Sequence, residues 1–158
     1  MIKMAPLMIQ AAPQSVFDDL VKVFGGEGRL GAGSLRSFFD FDRVIHEGMP
    51  LAAFRFAIAS LEQPEKTVLE GIGVSRTMLR IRKKVRRLGF VDSERAVRLG
   101  FIIALGKVTL GSTAAAGRWL LKPNAALGGA SPIQLLQTDV GARHVEAVLG
   151  RTLHGGFS

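Results

Sequence analysis

Apolar residues recur at intervals of three and four along most of the chain, which is the spacing that one face of an α-helix requires. Residues 15–24 carry Val16, Leu20 and Val23 in this way, and residues 97–108 form a longer apolar stripe of the same period. No stretch alternates apolar and polar residues as a half-buried β-strand does. The pattern therefore predicts an all-α fold.

Prolines, glycines and short polar residues mark where these helices start and end in the middle of the chain. Pro50 stands at the start of a predicted helix that ends near Leu61, and a second short helix begins at a proline and ends at Gly71 and Gly73. A third helix is predicted from an N-cap at Ser75 to Gly89. A fourth runs from Asp92 or Ser93 to about Leu110.

The carboxy-terminal third shows the same punctuation. Gly111 ends the fourth helix, Ser112 caps the next one, and Pro123 stops it. The sequence Ser131-Pro132-Ile133-Gln134 predicts a capping box, because Gln three residues after Ser can return a hydrogen bond to the cap. The final helix is predicted from a cap at Thr138 to Gly150.

The first 40 residues differ from the rest. We expect a flexible region there, with a short helix over residues 15–24. The glycine-rich stretch after that helix contains the pattern GxGxxG at Gly26, Gly28 and Gly31. A dinucleotide site would need a strand before it and a βαβ unit around it, so a linker is the better interpretation. The predicted organisation is residues 1–40, then a domain over 41–100, then one over 101–158.

Composition and charge narrow the classes of partner. The 158 residues are 47% hydrophobic, lack cysteine and carry a net charge of +8. Absence of cysteine excludes disulfides and thiol chemistry, and the positive charge favours an anionic partner such as nucleic acid, although a merely solvated basic surface gives the same number. The most apolar run is broken by Lys107 and is shorter than the ~20 residues of a membrane span. We expect no membrane association and a cytoplasmic location.

The third predicted helix carries seven basic residues and no acid between residues 76 and 87. A short helix, a glycine turn and a second helix beginning with Ser match a helix-turn-helix unit, whose second helix enters the DNA major groove. The amino-terminal residues would then lie nearest the bases and the later ones nearest phosphates. A solvated helix face is the alternative. The predicted DNA-binding residues are Ser75, Arg76, Thr77, Arg80, Lys83, Lys84 and Arg87.

Residues for catalysis or metal binding do not converge in the sequence. His46, His144 and His154 are far apart and lack the spacing of zinc-binding helices, and no pair of carboxylates is suitably arranged. We therefore predict that the protein is not an enzyme, with no catalytic residue, no metal site and no cofactor.

The pattern A..WL..PN.ALGG.SP..LL.T..GA..VE..LGR..HG, from Ala116 to Gly155, resembles the Xre/MbcA/ParS-type antitoxins that partner RES-domain toxins in bacterial type II toxin–antitoxin pairs. The segments EGMPLAAF, GVSRTM and ERAVRL are similar to the Xre-like helix-turn-helix part of that family. The resemblance covers about residues 43–158. It implies a helix-turn-helix domain followed by a small helical toxin-binding domain.

The resemblance also implies partners and contact residues. The carboxy-terminal domain of this family binds the toxin, and the chain end lies at the mouth of the cleft in which RES toxins consume NAD. Operator DNA and a second copy of the chain, as a homodimer, are the other implied partners. The toxin-binding residues carried over, or predicted in the loop and tail, are Asn124, Leu127, Gly128, Gly129, Pro132, Arg151, His154, Gly155, Gly156, Phe157 and Ser158.

Two departures from the family leave alternatives open. Arginine often stands in the family where this chain has Ile81, and charged residues stand where it has STAAAG, from Ser112 to Gly117. The first departure bears on base reading and the second on the surface beside the toxin. A free-standing Xre-type transcription regulator and a toxin-binding cap that no longer reads DNA are therefore the competing interpretations. The loop from Pro123 to Pro132 can be either a contact surface or only a tight turn of the fold.

Overall fold

The computed structural model describes residues 14–31, 33–81 and 84–153, and within them the protein is helical without any β-strand. The predicted all-α fold is confirmed. One isolated antiparallel bridge joins Pro50 and Arg87. The helices are α1 Gln14–Val23, α2 Glu27–Leu30, α3 Asp40–Glu47, α4 Leu51–Ser60, α5 Glu65–Ile72, α6 Arg76–Ile81, α7 Phe90–Leu110, α8 Thr113–Leu121, α9 Pro132–Leu135 and α10 Asp139–Leu153, with a 3₁₀ turn at Ala125–Leu127.

Helix α7 is the centre of the fold. Helices α1, α3, α8 and α10 all pack against it, and twelve consecutive or near-consecutive residues between Ser93 and Gly106 are buried. Two glycines permit the closest approaches. A Cβ at Gly100 would overlap the ring of Phe24, and one at Gly106 would lie 2.9 Å from the Cβ of Ala116. A helix buried on all sides explains why its apolar residues extend beyond a single stripe.

Residues 14–31 and 33–40, which the sequence predicts to be flexible, contain two helices and pack apolar residues into the core. The short helix itself is confirmed as α1, with Val16 and Leu20 fully buried. The glycine-rich stretch contains α2 and buries Leu30, and the Glu27 carboxylate accepts a hydrogen bond from the Leu35 N–H at 3.0 Å. The few apolar residues among the glycines reach the core and hold the segment in place. Residues 1–13 lie outside the described part.

The amino- and carboxy-terminal halves share one hydrophobic core. The predicted domain boundary after residue 100 falls inside α7, which continues without a break to Leu110. Edge-to-face ring contacts connect the first helix to α7, through Phe17, Phe38 and Phe101. Displacing the amino-terminal segment would therefore expose the same helix that supports the carboxy-terminal third.

Helix ends agree with the sequence at some positions and differ at others. Ser112 and Thr138 act as N-caps, accepting hydrogen bonds from the Ala115 and Gly141 N–H groups at 3.0 Å each. Ser131 makes no side-chain cap bond, so the predicted capping box is wrong; α9 is only four residues long. The last helix continues past Gly150 to Leu153. A glycine within a helix does not end it when the neighbouring residues keep their contacts.

Among the described residues no single helix is long and apolar enough to cross a membrane. The pair α7 and α8 meets the length and composition criteria together, but it bends by 109° at the break. Most of α7 is buried within the protein.

Candidate functional site

The basic helix is shorter than the sequence predicts. The described part of helix α6 runs from Arg76 to Ile81 and residues 84–86 form a turn, so the predicted helix does not continue to Gly89. The chain leaves the helix because it pairs with residues at the start of α4 and just before it: the Leu51 N–H donates to the Arg86 carbonyl and the Leu88 N–H to the Met49 carbonyl, both at 2.9 Å. This pairing holds Arg86 at a φ of 59°. The length of the helix therefore depends on contacts with residues almost forty positions away, which helical periodicity cannot reveal.

In a continuous helix from Ser75 to Gly89, the period of 3.6 residues predicts one buried face, and this prediction is wrong in part; its members are Met78, Ile81, Val85 and Leu88. Leu88 is buried as expected, and Leu79 is buried instead of its neighbours. Met78, Ile81 and Val85 are exposed, with Ile81 at 65%. Because the helix ends early, these three residues never align against the core.

Three of the predicted DNA-binding residues lie together. Arg76, Thr77 and Arg80 form one wall of a hollow of about 340 Å³, opposite Arg55 and Glu65. Ser75 caps their helix by accepting a hydrogen bond from the Met78 N–H at 3.3 Å. The hollow presents three guanidinium groups and one carboxylate, and Arg55 is 3.5 Å from Glu65.

The remaining predicted DNA-binding residues do not share that wall. Lys84 is exposed on the turn after α6, and Arg87 is half-buried with its Nη1 donating to the Gly48 carbonyl at 2.9 Å. Lys83 lies outside the described residues. Helices α5 and α6 are joined by Gly73, Val74 and Ser75, with Gly73 in the left-handed region at a φ of 75°.

A second basic hollow was missed by the sequence reasoning. It has a volume of about 600 Å³ and lies beside the start of α4. Arg29 contributes to it from the stretch predicted to be a linker, so no local pattern pointed to it. Its described lining is Arg29, Gly31, Pro50, Leu51, Ala52, Arg55, Val85, Arg86 and Arg87.

The loop after α8 closes on itself through Asn124. The Asn124 side-chain oxygen accepts from the Ala126 N–H at 2.9 Å, its N–H donates to the Ala130 carbonyl at 3.0 Å, and its carbonyl accepts from the Gly129 N–H at 2.9 Å. Gly128 and Gly129 have left-handed φ values of 67° and 85°, which glycine adopts without strain. The two glycines are exposed, and nothing crowds the position a Cβ would occupy on either. The loop is thus a fixed turn with an open backbone surface.

The predicted toxin-binding residues of this loop are placed differently from one another. Leu127 is half-buried against the core, and Pro132 is buried, so Pro132 shapes the loop from beneath. Trp119 is half-buried and packs against the core, with part of its ring surface open. Arg151 is exposed on the last turn of α10. His154, Gly155, Gly156, Phe157 and Ser158 lie outside the described residues.

Close backbone contacts fix the elements around the loop. A Cβ at Gly117 would overlap the carbonyl oxygen of Leu61, and one at Gly141 would overlap that of Leu135. Helix α9 packs on α5, where Ile133 lies against Gly71. The carboxy-terminal helices are therefore seated directly on the helices that carry the basic hollows.

Two buried titratable residues, Arg98 on α7 and Glu146 on α10, lie in the interior where these two helices pack. Glu146 is 3% exposed, and burial together with the nearby Asp139 raises the pKa of its carboxyl to about 7, against the opposing effects of Arg143 and Arg98. Burial also lowers the pKa of Arg98, whose Nη1 donates to the Leu136 carbonyl at 3.0 Å. Its Nε is buried without a hydrogen-bond partner in the described structure. This polar interior lies between α7 and α10, away from the exposed loop glycines.

Two further findings bear on chemistry. Among the described residues, no group of three or more His, Asp or Glu side chains is placed to hold a metal ion. Residues 104–155 match the family model of the antitoxin Xre/MbcA/ParS C-terminal toxin-binding domain. The matched segment begins within α7, includes α8, the loop and α9, and ends two residues after α10. No curated protein matches the chain.

Proposed function

We propose that this chain, whose residues 104–155 are a toxin-binding domain of the Xre/MbcA/ParS antitoxin type, is the antitoxin of a type II toxin–antitoxin pair. The family match is the observation that carries the proposal. It implies a toxin as partner and a role in binding rather than catalysis. The self-closed loop with its two exposed glycines supports this assignment, because a rigid and unobstructed backbone can approach another protein closely.

A RES-domain toxin that consumes NAD is the proposed partner. The resemblance of the sequence between Ala116 and Gly155 supports this choice. In the proposed complex the loop around Gly128 and Gly129 contacts the toxin, together with Arg151 and the chain end, and the substrate cleft is covered. Inhibition then needs no reactive group on the antitoxin.

Binding to operator DNA is the second proposed activity. Arg76, Thr77 and Arg80 support it, because they face one hollow from a helix that follows a glycine turn. The net charge of +8 favours attraction to the phosphate backbone. A homodimer is proposed because paired helix-turn-helix units on two half-sites bind more tightly than a single unit.

Co-expression with a cognate RES-domain toxin tests the proposal. We expect the two proteins to co-purify, cellular NAD to be preserved and growth to be restored. The matched variant is Arg76→Glu/Arg80→Glu, which should lose operator binding and keep neutralisation, since both side chains are exposed on α6. A protein that binds DNA but neither captures the toxin nor restores NAD would instead be a free-standing regulator.

A further inference from the structure

The second basic hollow contains four arginines contributed by three separate parts of the chain. Arg29 comes from α2, Arg55 from α4, and Arg86 and Arg87 from the turn before α7. No described residue that lines it is acidic. Arg55 also lies 3.5 Å from Glu65, outside this lining, and because like charges repel, a bound anion would stabilise the four arginines together.

Two of the four guanidinium groups are held in place by contacts outside the hollow. The Arg29 guanidinium carbon lies 4.6 Å from the centroid of the Phe56 ring, a cation–π contact. Arg87 uses Nη1 to donate to the Gly48 carbonyl at 2.9 Å. A guanidinium has five N–H donors, so both groups retain donors for a ligand while their positions are fixed.

The turn that presents Arg86 is strained. Its φ of 59° lies in the left-handed region, which arginine rarely adopts and which glycine or asparagine would occupy at less cost. The backbone pairing with Leu51 enforces this conformation. An exposed arginine kept in an unfavourable backbone conformation is consistent with a functional role for its side chain. The backbone N–H groups at the amino end of α4 are not what would bind the anion, because the Leu51 N–H donates to the Arg86 carbonyl.

Arg55 connects this hollow to the one lined by Arg76 and Arg80, because it lines both. The two hollows thus adjoin at Arg55 and together carry six arginines. Charges spread over adjoining hollows match a row of phosphates better than a single small anion.

From these observations we infer that the hollow of Arg29, Arg55, Arg86 and Arg87 binds phosphate groups of a DNA backbone, next to the segment bound by α6. The inference rests on the proposed DNA binding and adds a contact from the amino-terminal segment, which lies outside the matched toxin-binding domain. Such contacts position the protein without reading sequence.

The test measures how DNA affinity depends on salt, with a fluorescent mixed-sequence duplex as the probe. Each phosphate contact contributes about 0.9 to the log–log slope, so Arg29→Gln/Arg86→Asn should lower its magnitude by about 2. Asn tolerates the left-handed φ at position 86, so the melting temperature should be kept. The control Arg118→Gln/Lys122→Gln removes the same charge from exposed positions on and after α8 and should leave the slope unchanged.

The outcomes separate this inference from the proposed function. A wild-type protein with no affinity for any duplex would remove the proposed DNA binding altogether. If the wild type shows a steep salt dependence and the arginine variant shows the same slope, only the assignment of the hollow as a phosphate site is overturned. Inorganic phosphate, titrated at constant ionic strength, should not displace the duplex; displacement at low millimolar phosphate would show that the hollow serves a free anion, and would overturn the DNA assignment.

Discussion

At the scale of single residues, the buried carboxyl of Glu146 is the clearest case of a titratable group that the fold must accommodate. Its carboxyl is buried beside Asp139, and the favourable charges of Arg143 and Arg98 only partly offset the loss of water. The neutral form is therefore favoured inside the protein. The pKa of about 7 in the folded state compares with an ordinary value of 4.5.

This pKa difference predicts a loss of stability as pH rises. A raised folded-state pKa means that the folded protein binds a proton more tightly than the unfolded chain does, so the contribution of Glu146 is complete below pH 4.5 and lost by about pH 7. Glu146→Gln should remove this dependence. The unfolding free energy of the wild type, relative to the variant, should fall by about 2–3 kcal/mol between pH 4.5 and 8. Urea denaturation across that range measures it; parallel pH profiles would show that the carboxyl is ionised throughout.

At the scale of elements, the sequence patterns predicted the helices better than they predicted which helices pack against each other. The helix over residues 15–24 was predictable from its apolar period, but not its place against α7. That contact depends on Gly100, and from the sequence alone this glycine predicts only a lower helix propensity. Likewise, the cationic run after Ser75 predicts a longer helix because the pairing of Arg86 with Leu51 is non-local. The loop after α8 was predictable from its glycines, whereas the second basic hollow was not.

The fit of α1 onto α7 predicts a specific coupling between two substitutions. Gly100→Ala alone should destabilise by about 1–3 kcal/mol, because its Cβ overlaps the Phe24 ring. Phe24→Ala alone should cost about 3–5 kcal/mol, since the ring is fully buried. In the Phe24→Ala background, Gly100→Ala should become neutral or stabilising by up to about 1 kcal/mol, as Ala favours helix. Thermal and urea unfolding of all four proteins give the coupling energy. Additive effects would mean that α1 does not press on Gly100.

At the scale of the whole molecule, the shared helix α7 constrains how the two proposed activities can be separated. Its amino-terminal part holds segments next to the basic hollows, because the Met49 N–H donates to the Ser93 hydroxyl at 2.9 Å and Arg95 donates to the Gly73 carbonyl at 2.8 Å. Its carboxy-terminal part, from residue 104, lies in the matched toxin-binding domain. A core substitution in either half should therefore weaken both activities through unfolding. Only exposed positions can separate them, and the exposed arginines of α6 are such positions in the proposed function.

The chain end gives the sharpest test of the inhibition mechanism. The sequence HGGFS after α10 has two glycines that permit close backbone approach and one aromatic residue, which suit insertion into the toxin's cleft in the proposed complex. The truncation should begin at His154, because Leu153 packs against the core and the Thr152 hydroxyl donates to the Val148 carbonyl at 3.1 Å. Deleting His154–Ser158 should leave the melting temperature and DNA affinity unchanged and restore NAD consumption by the co-expressed toxin. A matched chain with the tail replaced by five serines controls for length and should fail in the same way. If the truncated protein still suppresses NAD consumption fully, inhibition comes from the domain body around Asn124 and Gly129.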